Sequence, residues 1–484
     1  MEERSVDVVV IGAGTAGLGA QSAARKAGAS VVMVEDGPYG TTCARVGCMP
    51  SKLLIAAADA ARAVDQAPIF GVHPEGKRVD GRQVLERVRA ERDRFVGFVL
   101  QQTERIPEEV RVRGRARLLS PTRVRVALEG SDEELELNAR AVVIATGSSP
   151  YIPPNLKPLE AKLSTSADVF EWEDLPESVA VVGPGVIGLE LGQALHRLGV
   201  RVAFFSPFEA LAHVHDPKVS EVVHQVFDEE MELHLKVDAF DVSEAPGEEG
   251  GFIVRWHDAQ GTPGEARFEK VLVTAGRRPN LEGLGLEQAG VPFNDRGRPD
   301  FDPRTTQVGD LPIFLAGDAA NHYPLLHEAS DEGRIAGGNA ANFPDVRAEI
   351  RRVPLSITFT DPQIAVVGKS WRELDHEQCG VGEVSYTNQG RARVMAKNKG
   401  HVRIYADRDT GRICGAEMFG PSVEHTAHLL AWTIQCGMTV FEALNMPFYH
   451  PVVEEGIRSA LRSLTGDLRM TAGNAEKLRY GPGT

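Results

Sequence analysis

Cysteine is scarce, five residues in a chain of 484. So few, and an odd number, exclude a disulfide-built scaffold and suit a reducing compartment where a disulfide serves chemistry. Basic charge is also short. Lysine and arginine total 53 against 68 acidic residues, and the net charge of −15 repels phosphate backbones and anionic membranes. Neither nucleic acid nor a membrane is expected as a partner. The longest run without D, E, K or R, His425 to Phe441, is shorter than a bilayer span and holds histidines, glutamine and glycine. A buried helix is expected there, not a crossing. The N-terminus reaches apolar "VDVVVIGAG" within six residues, which leaves no room for an export signal, so a cytoplasmic location is expected.

The length exceeds what one hydrophobic core organises, and about three domains are expected. Two stretches repeat one pattern. A β-branched run, Val8–Val10, leads into "IGAGTAG" with Gly12, Gly14 and Gly17, and "SVAVVGPGVIG" repeats it with Gly183, Gly185 and Gly188. In such a turn the first glycine permits a sharp bend, the second admits a pyrophosphate, and the third brings helix against strand. Each copy carries a further glycine sixteen residues after its first, Gly28 and Gly199. One such motif is weak; two with matching strands and helices are specific. At the position where an acid meets an adenosine ribose, the first copy has Glu35 and the second has Ser206. Glu35 suits a free 2′-hydroxyl. Ser206 removes the acid that would repel a 2′-phosphate, but "SPFEALAHVH" offers only His213 and His215, with no lysine or arginine. Two dinucleotide sites in one chain imply a relay between a held flavin and a diffusing nicotinamide.

"TTCARVGC" places Cys43 and Cys48 five residues apart. No other cysteine or histidine lies between residues 37 and 72, so zinc is a minor reading and no metal is expected. On a regular helix residues so spaced have Cα atoms about 8–9 Å apart, beyond the span of a disulfide. If the pair bridges, the backbone must leave the helix, most cheaply at Val46-Gly47.

"GTTCARVGCMPSK" resembles the redox motif of the flavin-dependent pyridine nucleotide–disulfide oxidoreductases. The likeness continues through "VVIATGSSP", "VLVTAGRRPN", "IFLAGDAA", "HEASDEG" and "FYHPVVEEG", covering about residues 6 to 465. It implies an α/β fold with two Rossmann-like dinucleotide-binding domains, for FAD and NAD(P), and a C-terminal α+β dimerisation domain. The implied division is 1–150 for FAD, 151–278 for NAD(P), 279–350 central and FAD-binding, 351–470 for dimerisation, and a tail at 471–484. It also implies a Cys43–Cys48 redox disulfide, with Cys43 exchanging with substrate and Cys48 facing the flavin. Lys52 and Glu190 match residues near the flavin ring, and Asp318, after Gly317, matches a ribityl contact. Gly114, Ala116, Thr146, Gly147, Gly276, Arg277 and His327 complete the implied cofactor set.

In "FYHPVVEEG" a helix is expected to begin at Pro451, with His450 just outside it and Glu455 one turn in. A histidine accepts protons near neutral pH, and a carboxylate fixes its tautomer. The resemblance identifies His450 and Glu455 as the family's base dyad, reaching the cysteines of the other subunit in a homodimer.

The last cysteine is Cys436, which removes the C-terminal cysteine pair of mercuric reductases and the redox tail of large thioredoxin reductases. "PSK" at Pro50–Lys52 is most similar to the dihydrolipoamide dehydrogenases, implying a lipoyl dithiol on a carrier protein and NAD as acceptor. An NADPH-dependent reductase of a small disulfide is the alternative, and a flavoprotein subunit of a lipoyl-dependent assembly a further one. Four positions depart from the family pattern: Thr41 stands for glycine, Arg45 for asparagine, Phe448 for histidine and Val452 for threonine.

Overall fold

A computed structural model describes residues 2–247 and 250–469. The expected 471–484 tail lies outside the described residues. The chain divides into two compact units: 1–50, 87–151 and 277–351 form the first, and 51–86, 152–276 and the chain from 352 onward form the second.

The first unit is built on a six-stranded sheet. Strand Glu2–Ile11 lies parallel between Val31–Glu35 and Glu134–Ile144, and Ile313–Leu315 extends the sheet beyond. Val8, Val9 and Val10 are all fully buried, as a parallel strand covered on both faces requires. On one face helices Thr15–Lys26 and Leu326–Asn342 pack together. A side chain at Gly333 would lie 2.1 Å from the Ala16 carbonyl oxygen, and one at Gly337 equally close to that of Ala20, so only glycine allows this approach. The other face buries Val9, Ile11, Val142 and Ile144 with Leu118, Val124 and Leu137 of an antiparallel meander, Arg111–Ser120, Arg123–Leu128 and Glu134–Ile144.

In the second unit a parallel sheet runs in the order Glu232–Leu235, Arg201–Ser206, Ser178–Val182, Lys270–Val273, Ser164–Thr165. Helix Val186–Arg197 follows its central strand. A second, antiparallel sheet of five strands between Leu355 and Gly420 packs Val402, Ile404 and Met418 against Leu430, Ile457, Leu461 and Leu464 of two helices, Val423–Gln435 and Glu455–Thr465.

Two expectations are corrected here. The run His425–Phe441 is not one buried helix. Its helix ends at Gln435, Gly437 turns the chain with φ +65°, and a second helix, Val440–Leu444, starts at a Thr439–Glu442 capping box. The first helix is two-faced, burying Leu430 while Trp432 stays 66% exposed. No helix among the described residues is long and apolar enough to cross a membrane. The helix after His450 begins at Glu455, not at Pro451, because residues 451 to 454 form a turn.

Candidate active site

The two glycine turns are near copies in conformation as well as sequence. Val8 pairs with Val31 and Ser178 with Arg201, the same offset of 23 residues. Gly14 and Gly185 share φ −73° with ψ −170° and −175°, and each leads into a twelve-residue helix. Gly12 holds φ +105°, and a Cβ there would sit 2.4 Å from the Ala145 carbonyl oxygen. At Gly17 it would lie 1.8 Å from the Gly12 oxygen, and Gly183 and Gly188 repeat the crowding at 2.7 and 2.1 Å. In contrast, nothing stands within 4 Å of where a Cβ would be at Gly14 or Gly185. The middle glycine therefore opens on free space before a helix N-terminus, the cradle a pyrophosphate needs.

Glu35 closes the first cradle. Its Oε2 accepts from Ala13 N at 2.6 Å and its Oε1 from Gly37 N at 2.7 Å, and a carboxylate retains lone pairs for ribose hydroxyls. Beside this turn the buried Thr146 Oγ1 has no partner among the described residues, a polar atom waiting for a ligand. Gly147, with φ +69°, accepts from Asn280 N through its carbonyl. The Ser148 hydroxyl donates to Asp318 Oδ2 at 2.6 Å and accepts from Arg277 Nε at 2.7 Å, so three distant segments meet at one carboxylate. The residues of this unit fit an FAD: an open cradle, a ribose-facing acid, an unsatisfied hydroxyl and an oriented carboxylate. Gly114 and Ala116 have packing reasons of their own. A Cβ at Gly114 would lie 2.4 Å from the Ala127 oxygen, and Ala116 is in the sheet core. His327 sits in the first turn of helix Leu326–Asn342.

Gly317 N donates to Glu332 Oε2 at 2.8 Å, and Arg351 reaches Glu332, Glu328 and Asp331. Glu332 thus anchors the turn that presents Asp318. Burial raises its carboxyl from 4.5 to about 7, against the opposing pull of Arg351. A raised carboxyl contributes stability that is complete below the unfolded value and is lost as pH rises through the folded one. The Glu332 contribution should therefore fall between pH 4.5 and about 7, and the stability difference between wild type and Glu332→Gln should change across that window. Urea midpoints across the window check this; parallel curves would count against it.

The cysteine segment breaks where the sequence predicts. A short helix, Thr42–Val46, stops at Gly47, whose φ −126° and ψ −117° leave the helical path, and Cys48 opens the next helix, Cys48–Gln66. A Cβ at Gly47 would lie 3.2 Å from the Cys43 Cα. Thr41, the departure from glycine, holds φ 59° and ψ 149°, a region nearly reserved for glycine. Its Oγ1 accepts from Ala44 N at a long 3.4 Å. Strain there costs about 1–3 kcal/mol and glycine forfeits only a few tenths as a cap, so Thr41→Gly should stabilise the protein by about 1 kcal/mol in chemical denaturation. A loss of stability would show that the cap outweighs the strain. Arg45 lays its aliphatic stem against Gly40, with a Cβ there 3.0 Å from Arg45 Cδ.

In the second unit Lys52 Nζ meets Glu190 at 2.7 Å and lies 4.4 Å over the Phe359 ring, while Phe359 N donates to the other Glu190 oxygen at 2.9 Å. Glu190 is buried; its Oε2 holds the ammonium and its Oε1 is taken by the Phe359 amide. Gly276 holds φ +115°. Ser206 ends its strand, buried, accepting from Phe208 N at 3.0 Å.

His450 Nδ1 lies 3.1 Å from both Glu455 oxygens, and Val452 N donates to Oε2 at 3.2 Å. The hydrogen bond to His450 leads the causes holding the Glu455 carboxyl below its usual range. The pairing fixes the tautomer and leaves Nε2 outward on a side chain 80% exposed. Val452 contributes only backbone, donating to Glu455 and accepting from Gln389, so valine preserves these contacts where the family has threonine. Phe448 packs on the core of the second sheet under Arg458. Sequence reasoning passed over Ser148, Glu332 and Phe359. The first two lie inside quoted motifs whose inner positions carry no separate signal, and Phe359 acts through its backbone and ring, which no local pattern marks.

Residues 6–333 match the family described as pyridine nucleotide-disulphide oxidoreductase, and 354–461 match its dimerisation domain. A dihydrolipoyl dehydrogenase of Haloferax volcanii is 31% identical over 468 residues, 95% of this chain and 96% of that protein. A mercuric reductase of Acidithiobacillus ferrooxidans is 29% identical, covering 96% and 84%. Among solved structures, LpdA from Mycobacterium tuberculosis aligns with TM-score 0.80 at 25% identity, over 96% of this chain and 99% of that one.

Proposed function

The chain belongs to the pyridine nucleotide-disulphide oxidoreductase family, and from that premise we propose that it oxidises the dihydrolipoyl group of a carrier protein through Cys43 and Cys48. As a member it is an oxidoreductase of the EC 1.8.1 type, with FAD and NAD as its carriers. We assign 1–150 and 279–350 to flavin binding, 151–278 to the nicotinamide nucleotide and 351–470 to dimerisation. Two chains form a homodimer in which His450 serves the cysteines of the partner subunit. A reducing cytoplasm suits that chemistry. The observation that supports this most is the interruption at Gly47, which takes Cys43 and Cys48 off a common helical path.

When bound, FAD carries two electrons between the cysteine pair and the nicotinamide. Gly14, Glu35, Thr146 and Asp318 would hold it. One substrate thiolate attacks Cys43 Sγ of the disulfide, and Cys48 leaves as thiolate. His450 Nε2 takes the proton of the second substrate thiol, whose sulfur then attacks the substrate sulfur bound to Cys43. The substrate departs as a disulfide, two electrons poorer, and both cysteines are left reduced. Glu455 holds the imidazole in the tautomer that keeps Nε2 free and stabilises its protonated form.

Purified holoenzyme should oxidise dihydrolipoamide with NAD at least about 100-fold faster than it reduces glutathione disulfide with NADPH, a gap of roughly 2.7 kcal/mol. The reverse ratio would make it a small-disulfide reductase.

A further inference from the structure

Strand Arg201–Ser206 ends where a Rossmann unit receives the adenosine ribose of its dinucleotide, and the side chains gathered there are not those the local sequence suggests. Phe208 is 73% exposed, a flat apolar face two residues past Ser206. Glu209 follows it. Leu235 pairs with Ser206 on the neighbouring strand, and Val237 N donates to the Ser206 carbonyl at 3.0 Å. The intervening Lys236 is thereby set beside the strand end with φ +55°, a conformation a non-glycine residue holds only where its surroundings impose it. Its Nζ meets Glu209 Oε1 at 2.8 Å, both side chains being more than half exposed.

The two histidines of the same loop are poor candidates for binding an anion. Burial, with Arg372 nearby, pushes both His213 and His215 below the usual histidine range, so they are neutral at pH 7. Glu417 accepts from His215 N and Asp216 N at 2.7 and 2.8 Å and pins the end of the loop. Lys236, 30 residues beyond Ser206 in the chain, is a cation the fold brings to this strand end.

We infer that Lys236 binds the 2′-phosphate of a phosphorylated nicotinamide dinucleotide, exchanging Glu209 for the phosphate, so that the second site takes NADP as well as NAD. An exposed lysine–glutamate pair contributes little, and a phosphate of higher charge is the stronger partner for an ammonium. Ser206 presents no charge to oppose it. With NAD, Lys236 stays on Glu209. The inference rests on the reading of the Gly183 unit as the nicotinamide site.

Calorimetry of the purified holoenzyme with 2′,5′-ADP and with 5′-ADP tests it. K236A and K236M should each weaken 2′,5′-ADP by at least about tenfold and leave 5′-ADP within about twofold, while E209Q should tighten 2′,5′-ADP several-fold. In steady state K236A should raise KM for NADPH without changing kcat and leave KM for NADH in place. Absent binding of 2′,5′-ADP by wild type, or equal changes for both ligands in the lysine variants, would overturn the inference. If neither NADH nor NADPH reduces the protein, the reading of the site itself fails; if NADH does and K236A spares 2′,5′-ADP, only the role of Lys236 fails.

Discussion

Serine in place of Cys48 should cut dithiol oxidation by NAD at least about 10⁴-fold, or roughly 5.4 kcal/mol of barrier, and leave FAD bound. Cysteine exchange proceeds by thiolate attack on a disulfide sulfur, and a hydroxyl at this position neither forms that bond nor leaves as an anion near neutral pH. Cys43→Ser should cost as much. The two variants separate by spectrum. A Cys48 thiolate facing the flavin should give a long-wavelength charge-transfer absorbance on partial reduction, which should vanish with Cys48 replaced and persist with Cys43 replaced. The opposite pattern would exchange the roles assigned to the two sulfurs. Cys48 is exposed and Cys43 half-buried, so neither change removes a core side chain.

Alanine at His450 should lower kcat for dihydrolipoamide by about 10²–10⁴-fold, the usual contribution of a positioned acid or base. Binding of FAD and NAD should not change. Glu455→Gln should cost less, because the amide still accepts from Val452 N and can orient the ring, but it no longer stabilises the imidazolium. Stopped-flow reduction by the dithiol isolates this half-reaction. Equal slowing of reduction by NADH would show a structural defect and not the loss of a base. The side chain of His450 is 80% exposed in the single chain, so truncation removes little packing.

Much of this was legible in sequence because the chemistry sits on backbone turns. Gly12, Gly17, Gly183 and Gly188 occupy sites where a Cβ would overlap a carbonyl, and such constraints leave a fixed spacing that can be read directly. The break at Gly47 and the His450–Glu455 pair were readable for the same reason, being local. Interactions across long separations were not. Lys236 meets Glu209 only because two parallel strands align, and Glu190 reaches Phe359 N across 169 residues. The departure at Thr41 was visible as an unusual residue, but its positive φ was not. Capping chemistry misled as well: Pro451 is a sound helix opener, yet the Glu455 carboxylate gathers His450 and Val452 into a turn and the helix starts after it.

The central claim is that electrons pass through Cys43 and Cys48. Anaerobic enzyme should be treated with one equivalent of NADH, quenched with an alkylating agent and mapped by mass spectrometry. The account predicts that both cysteines are protected from alkylation before reduction and that both are labelled after it, two new thiols per chain. Reduction of the flavin with no new label at either position would contradict it.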